Sequence, residues 1–203
     1  GDADTSSDVW VPQSEGSRFI DLPVRVAGLA QVDFAISLPS RAGESMFWLG
    51  RHLERAEAIV RLTRTVIDRA EQESLSELPA WMADLSEAVD RLTGIGYGGG
   101  LALSTVDGAL RDPQRWEGLP NTVSQLLTTA GSARELLSVE VWDGLTALRD
   151  DVALLAGTDV AADLGLTRDR LDGMLANLAS VAGVVHESML RGPGWRLLDA
   201  GRR

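Results

Sequence analysis

The sequence predicts an all-α protein, an antiparallel bundle of five or six helices preceded by an irregular N-terminal extension. Three observations predict this class. Apolar residues recur at helical spacing from residue 40 onward, Gly and Pro divide that region into helix-length segments, and the connections are mostly short. Residues 1–37 show no helical stripe, so we interpret them as an extension or linker and residues 38–203 as the helical domain.

The longest helical pattern covers residues 40–72. Ser40 suits the N-cap position, and Glu44 lies in the first turn, where the helix dipole favours an acid. Two apolar stripes follow on nearly opposite sides, which is typical of a helix at the centre of a bundle. The first stripe comprises Met46, Leu49, Leu53, Ala56, Val60 and Ile67, and the second comprises Trp48, Ile59, Leu62 and Val66.

The later helices are separated by Gly and Pro signals. Gly94 ends the second helix, and a Gly-Pro-Gly segment at 192–194 ends the penultimate one. The predicted segments cover residues 77–93, residues 105–111, residues 121–137 continuing through 138–155 with a kink near Ser138, a helix capped by Thr167, and a last helix that begins near Trp195.

Composition excludes several functional classes. The 203 residues carry 19 basic side chains, all of them Arg, against 30 acidic ones, for a net charge of -11. Such a chain has no basic stripe for nucleic acid. It has no Cys for disulfide or thiolate chemistry, and no Lys for a P-loop or a Schiff base. No apolar run is long enough to span a membrane, so we expect a cytoplasmic protein.

Charged residues interrupt the apolar face of the first helix. On a helical wheel Glu57 and Arg61 fall beside the first stripe, near Gly50, which would permit a neighbour to approach closely. Three interpretations stay open: a solvated edge with local ion pairs, a partly buried Arg–Glu network that fixes helix register, or a site for a carboxylate or phosphate. The candidate residues are Arg51, Glu54, Arg55, Glu57, Arg61 and Arg202, and none is assigned to catalysis or to a metal.

The end of the chain repeats part of this helix. Residues 197–203 align with residues 46–52, because both are apolar helical starts followed by Gly-Arg. A shared dipeptide can arise by chance. If the repeat is genuine, the two Gly-Arg helices are expected to face each other inside the bundle.

Three sequence blocks resemble the alpha-E family, a bacterial helical domain of unknown function named for its Glu-Arg motif. They are LPSRAGESMFWLGRHLERAE at 38–57, RELLSVEVW at 134–142 and GWRLLDAGRR at 194–203. In the family a second Glu-Arg-Ala follows the third block, so the resemblance implies a domain truncated at its C-terminus. The sequence departs from the family at residues 127–131, LTTAG in place of Arg-Glu-Asn-Ala-Arg, and at Thr146 in place of Asn.

The N-terminal segment SSDVWV at 6–11 resembles the last strand of a circularly permuted ATP-grasp domain. The resemblance implies an ATP-grasp ligase, in cis or in trans, that joins a carboxylate to an amine through an acyl-phosphate. ATP and Mg would belong to that domain, and no cofactor is expected in this fragment. We therefore expect an accessory domain that docks to the ligase or presents a peptide substrate. The alternatives are an enzyme with an Arg/Glu cavity for a carboxylate or phosphate, and a structural oligomerisation module.

Overall fold

A computed structural model describes residues 38–72, 80–93 and 102–203. The predicted extension over residues 1–37, with its ATP-grasp-like segment, lies outside these ranges. The described residues form α-helices and one 3₁₀ turn without any strand, which confirms the all-α prediction. The helices are α1 (Ser40–Gln72), α2 (Ala80–Leu92), α3 (Ala102–Arg111), α4 (Leu119–Ser132), α5 (Val139–Ala156), α6 (Leu164–Ser188) and α7 (Pro193–Arg202).

Helix α1 is the central element of the bundle. It contacts α2, α3, α4, α6 and α7. All residues of its first predicted stripe are buried, and Ile59 and Val66 of the second stripe are buried as well. Trp48 differs, since 46% of it is exposed. The pattern of two apolar sides therefore predicted a central helix correctly, with one aromatic residue left at the surface.

The predicted kink near Ser138 is a break between two helices. Helix α4 ends at Ser132, a 3₁₀ turn covers Arg134–Leu136, and Ser138 caps α5. The backbone of Ser138 is extended, and its hydroxyl accepts a hydrogen bond from the Val141 amide at 3.4 Å. This break brings the described helices to seven, against the five or six expected.

The predicted cap of α6 is wrong, and α7 begins slightly before its predicted start. Asp163, not Thr167, caps α6, because its carboxylate accepts from the Leu166 amide at 2.8 Å. Thr167 lies one turn inside the helix and donates its hydroxyl to the Asp163 carbonyl. Helix α7 begins at Pro193, two residues before the predicted start, since proline fits the first helical turn.

Helix α6 runs antiparallel to both of the long helices that it contacts. Its beginning lies beside the end of α5, where Arg170 bonds to Thr158, and Asn177 lies further back along α5 beside Asp151. The same end of α6 bonds to the end of α1 through Arg168 and Glu71. The ion pairs of α6 with α1 thus lie in the second half of α1, and the close contacts of α7 lie in its first half.

Candidate functional site at the crossing of α1 and α7

Two glycines form the closest contact between α1 and α7. Gly50 and Gly201 are both buried. A Cβ atom added to Gly50 would stand 3.0 Å from the carbonyl carbon of Leu198 and overlap its oxygen. A Cβ atom added to Gly201 would meet Phe47 in the same way, also 3.0 Å from the carbonyl carbon. Each helix backbone therefore rests on the glycine of the other, as the Gly-Arg repeat predicted.

The contacts of this crossing are paired by an approximate two-fold relation. Adding 151 to the number of an α1 residue gives its α7 counterpart, as for Gly50 and Gly201. Two turns earlier, Gly43 lies against the Leu197 side chain and its counterpart Gly194 against the Met46 side chain. Since contacts advance together along both helices, α1 and α7 run in the same direction. The sequence repeat thus corresponds to a repeated set of contacts that begins at Gly43.

Glu57 joins the charges of the two helices. One carboxylate oxygen accepts from Arg61, one turn further along α1, at 2.6 Å. The other oxygen lies 3.4 Å from a guanidinium nitrogen of Arg202 on α7. The Glu57 and Arg202 side chains are partly buried, whereas Arg61 is largely exposed. The arrangement combines a local surface ion pair with a partly buried bond between helices.

Arg55 lies on another side of α1 and bonds elsewhere. Its guanidinium donates to Glu117 at 2.8 Å, in the turn between α3 and α4. The neighbouring Trp116 is 72% exposed, although Asn121 donates a hydrogen bond to its carbonyl. The turn therefore exposes the Trp116 side chain at the surface, while the adjacent Glu117 side chain is held by Arg55.

A buried ion pair fixes the same turn from the inside. Arg115 and Asp90 are both buried and lie 3.2 Å apart. The Arg115 guanidinium also donates to the Thr93 hydroxyl at 3.3 Å and the Thr105 carbonyl at 3.1 Å. These bonds tie α2 and α3 to the turn. Sequence reasoning missed Arg115, because its partners lie 10 to 25 positions away and share no motif with it.

A third charged group connects α1 to α6. Arg64 donates to Asp172 of α6 and to Asp68 one turn along α1. The hydrogen bond to Asp172 raises the pKa of Arg64. The same bond, with the positive charges of Arg64 and Arg168, lowers the pKa of the Asp172 carboxyl. Helical spacing does not predict the partner of Arg64 on α6, because Asp172 lies 108 positions away in sequence.

His52 is stacked on Trp48 near the start of α1. The two ring centroids lie 5.8 Å apart with nearly parallel planes. Burial, and secondarily the positive charge of Arg55, lowers the pKa of His52. A protonated imidazole is therefore disfavoured at this position. The half-buried His52 ring stacks on the partly exposed Trp48 side chain.

Three of the six predicted site residues come together at the crossing, namely Glu57, Arg61 and Arg202. Arg55 instead bonds to Glu117 in the turn that holds Trp116. Arg51 is exposed and Glu54 half-buried, and neither has an ion-pair partner within the described ranges. The described part of the chain also holds no group of three His, Asp or Glu side chains suited to a metal ion. The crossing holds two parallel helices in register through glycine contacts and ion pairs.

The described residues therefore form an all-α bundle organised around a long helix that carries a Glu-Arg motif at positions 54 and 55. The chain belongs to the Alpha-E family, described as a predicted alpha-helical domain with a conserved ER motif, whose family model matches residues 38–203. None of the described helices is long and apolar enough to cross a membrane.

Relatives occur among the proteins of mycobacteria. The chain is 29% identical over 220 aligned positions to uncharacterized proteins of Mycobacterium tuberculosis and Mycobacterium bovis. The alignment includes 98% of this chain and 25% of each relative, so the chain spans about a quarter of their length. No solved structure matches the chain.

Proposed function

We propose that residues 38–203 form an accessory domain of a circularly permuted ATP-grasp ligase system that makes peptide or amide bonds. The domain docks against the ligase domain or presents its substrate, and ATP and Mg bind to the ligase domain. The observation that carries this proposal is the extent of the match with the mycobacterial relatives. The family model begins at residue 38, but 98% of the chain aligns with proteins about four times longer.

The aligned region therefore continues upstream into residues 1–37, which include the ATP-grasp-like segment at 6–11. In these relatives a helical domain and its upstream segment are parts of one longer polypeptide. This arrangement supports the proposal that the helical domain works beside a second domain of the same polypeptide. A helical protein that worked alone would not require the upstream segment. The bonds of Arg55, Glu57 and Arg115 also support an accessory role, because these charges stabilise helix contacts and are used within the fold.

The turn at Trp116 is the surface that we assign to docking on the ligase domain. Its indole is 72% exposed, while the buried Arg115 on one side and the ion-paired Glu117 on the other hold the turn in place. Large aromatic side chains dominate binding energy at protein interfaces, and a contact that is already ordered loses little entropy on binding. Trp116 thus has the properties of a preorganised anchor.

The test uses the ATP-grasp ligase domain of the proposed system. This domain is prepared once alone and once together with residues 1–203, and the two preparations are compared. We expect residues 1–203 to bind that domain and to raise its rate of ATP-dependent ligation. Trp116→Ser should weaken binding at least about tenfold, as for an interface hot spot. Leu166→Ser, on α6 and also exposed, is the matched control and should bind normally. If deleting residues 38–203 changes neither the ligation rate nor the substrate affinity, the accessory role is wrong.

A further inference from the structure

One side of α1 carries a row of basic and aromatic side chains that leads to the Trp116 turn. Each member lies three, four or seven positions from Trp48, so all of them project from the same side of the helix. The row comprises Arg41, Trp48, Arg51, His52 and Arg55. Arg55 bonds to Glu117 at 2.8 Å, and the residue before Glu117 is Trp116. We call this row together with Trp116 the indole surface.

The two indoles of this surface are ordered by their neighbours and still reach solvent. Trp48 is 46% exposed, although it stacks on His52 and meets the Phe47 ring edge to face at 5.7 Å. Trp116 is more exposed still, in a turn that is held from both sides. The axial rise from Trp48 to Arg55 is about 10 Å, which matches about four residues of an extended peptide. The indole surface is therefore long enough to bind a peptide segment.

The fold does not neutralise the cations of the indole surface. Arg41 and Arg51 are exposed, and neither forms an ion pair with any part of the chain that the structure describes. Glu44 is the one carboxylate on this side of α1 over residues 41–55. Helix α4, which packs on α1, carries no charged residue. In a chain of net charge -11, this side of the bundle thus offers more free guanidinium groups than carboxylates.

We infer that the indole surface binds an acidic peptide segment that also carries apolar side chains. The apolar side chains pack on Trp48 and Trp116, and the carboxylates bond to Arg41 and Arg51. Guanidinium groups bind carboxylates through charge-assisted hydrogen bonds, and Trp and Arg are enriched among the hot spots of protein interfaces. The inference rests on the proposed function, in which Trp116 faces a partner. It adds the chemistry of the bound segment and the part of α1 that holds it.

Labelled peptides test this chemistry without the ligase domain. The probes are fluorescein-labelled peptides in which two, three or four Glu residues separate two Phe residues, and a matched series has Gln in place of Glu. Binding to residues 1–203 is measured by fluorescence anisotropy. At least one acidic peptide should bind at least about tenfold more tightly than its Gln counterpart, and added salt should weaken its binding. Equal affinity of the two series, or no binding by any acidic peptide, would overturn the inference.

Variants locate the binding on α1. Arg51→Glu should weaken binding of the acidic peptide at least about tenfold and leave the fold intact, because Arg51 is exposed and has no ion pair within residues 38–72, 80–93 and 102–203. Arg69→Glu is the matched charge control, since Arg69 is an exposed residue in the last turn of α1, and it should bind normally. Trp48→Ser should weaken binding about tenfold, whereas Leu154→Ser, at an exposed site on α5, should not. If Arg51→Glu bound the peptide as tightly as Arg69→Glu, the inference would be wrong even if Trp48→Ser did not fold.

The outcomes also separate this inference from the proposed function. If Trp116→Ser weakens binding to the ATP-grasp domain while Arg51→Glu and Trp48→Ser bind the peptides normally, the inference is wrong and the docking role of Trp116 stands. If the peptides bind as expected but deleting residues 38–203 leaves ligation unchanged, the peptide surface stands and its assignment to a ligase is wrong.

Discussion

Replacing Gly50 by Ala tests the packing of α1 against α7 most directly. The added Cβ would lie 3.0 Å from the Leu198 carbonyl carbon and 3.2 Å from the Arg202 amide nitrogen. Both are backbone atoms of α7, so no side-chain rotation can relieve the overlap and the helices must separate. Such overpacking costs up to about 3 kcal/mol, while Ala gains about 1 kcal/mol over Gly in a helix. The expected net loss is about 2 kcal/mol.

Urea denaturation followed by circular dichroism measures this loss. With an m-value of about 2 kcal/mol per molar, the unfolding midpoint should fall by about 1 M. Gly201→Ala should give a similar loss, since its contact with Phe47 is the two-fold equivalent. The double variant should lose less than the sum, because one separation of the helices relieves both overlaps.

Gly173→Ala is the matched control within α6. An added Cβ there meets nothing within 4 Å, so only the helix-propensity gain remains. This variant should gain about 1 kcal/mol, which raises the midpoint by about 0.5 M. If Gly50→Ala and Gly201→Ala were stabilised like Gly173→Ala, the close helix crossing and the two-fold relation derived from it would be wrong.

Three further variants test the charged groups. Arg115→Met should lower the free energy of unfolding, measured by urea denaturation, by about 3–5 kcal/mol, because it leaves Asp90 buried and unpaired. Adding Asp90→Asn should restore part of this loss, and full stability of Arg115→Met alone would contradict the burial of the pair. Because the pKa of His52 is lowered in the folded protein, the unfolded chain binds this proton at a higher pH, so stability falls as the pH decreases through about 6.5. His52→Gln should flatten the slope of melting temperature against pH, and an unchanged slope would contradict the lowered pKa. Because the pKa of Asp172 is lowered, its contribution to folding stability is present at neutral pH and lost as the pH falls below about 4. Asp172→Asn should therefore cost less than about 1 kcal/mol of folding stability at pH 7 and reduce the loss of stability in acid. An unchanged acid transition would argue against the bond between Asp172 and Arg64.

The sequence predicted features that arise from local spacing. Helix α1 was predicted over residues 40–72 and occupies them, because its apolar periodicity persists for nine turns without a proline. The facing of Gly50 and Gly201 was predicted from a repeat of a few residues. Caps were less predictable, since Asp163 and Thr167 both have suitable side chains and only the backbone conformation chooses between them.

Partners of charged side chains were the least predictable feature. The pairing of Glu57 with Arg61 follows from helical spacing, whereas its bond to Arg202 depends on a crossing 145 residues away in sequence. Arg115 carried no periodic signal, since it lies in a turn outside every predicted helix. Such pairs depend on how helices cross, and a single sequence does not specify crossing geometry beyond its glycine contacts.

The uninterrupted length of α1 has a mechanical consequence. Its 33 residues correspond to a rod of about 50 Å. The glycine crossing clamps one end of this rod, and the bonds of Arg64 and Arg168 brace the other end against α6. A tilt of about 5° at Gly50 would displace Arg64, about 21 Å along the helix, by about 2 Å, and Glu71, about 32 Å along, by about 3 Å, which would lengthen both bonds beyond hydrogen-bond distance. Helix α1 therefore fixes the distance between the crossing with α7 and the ion pairs with α6.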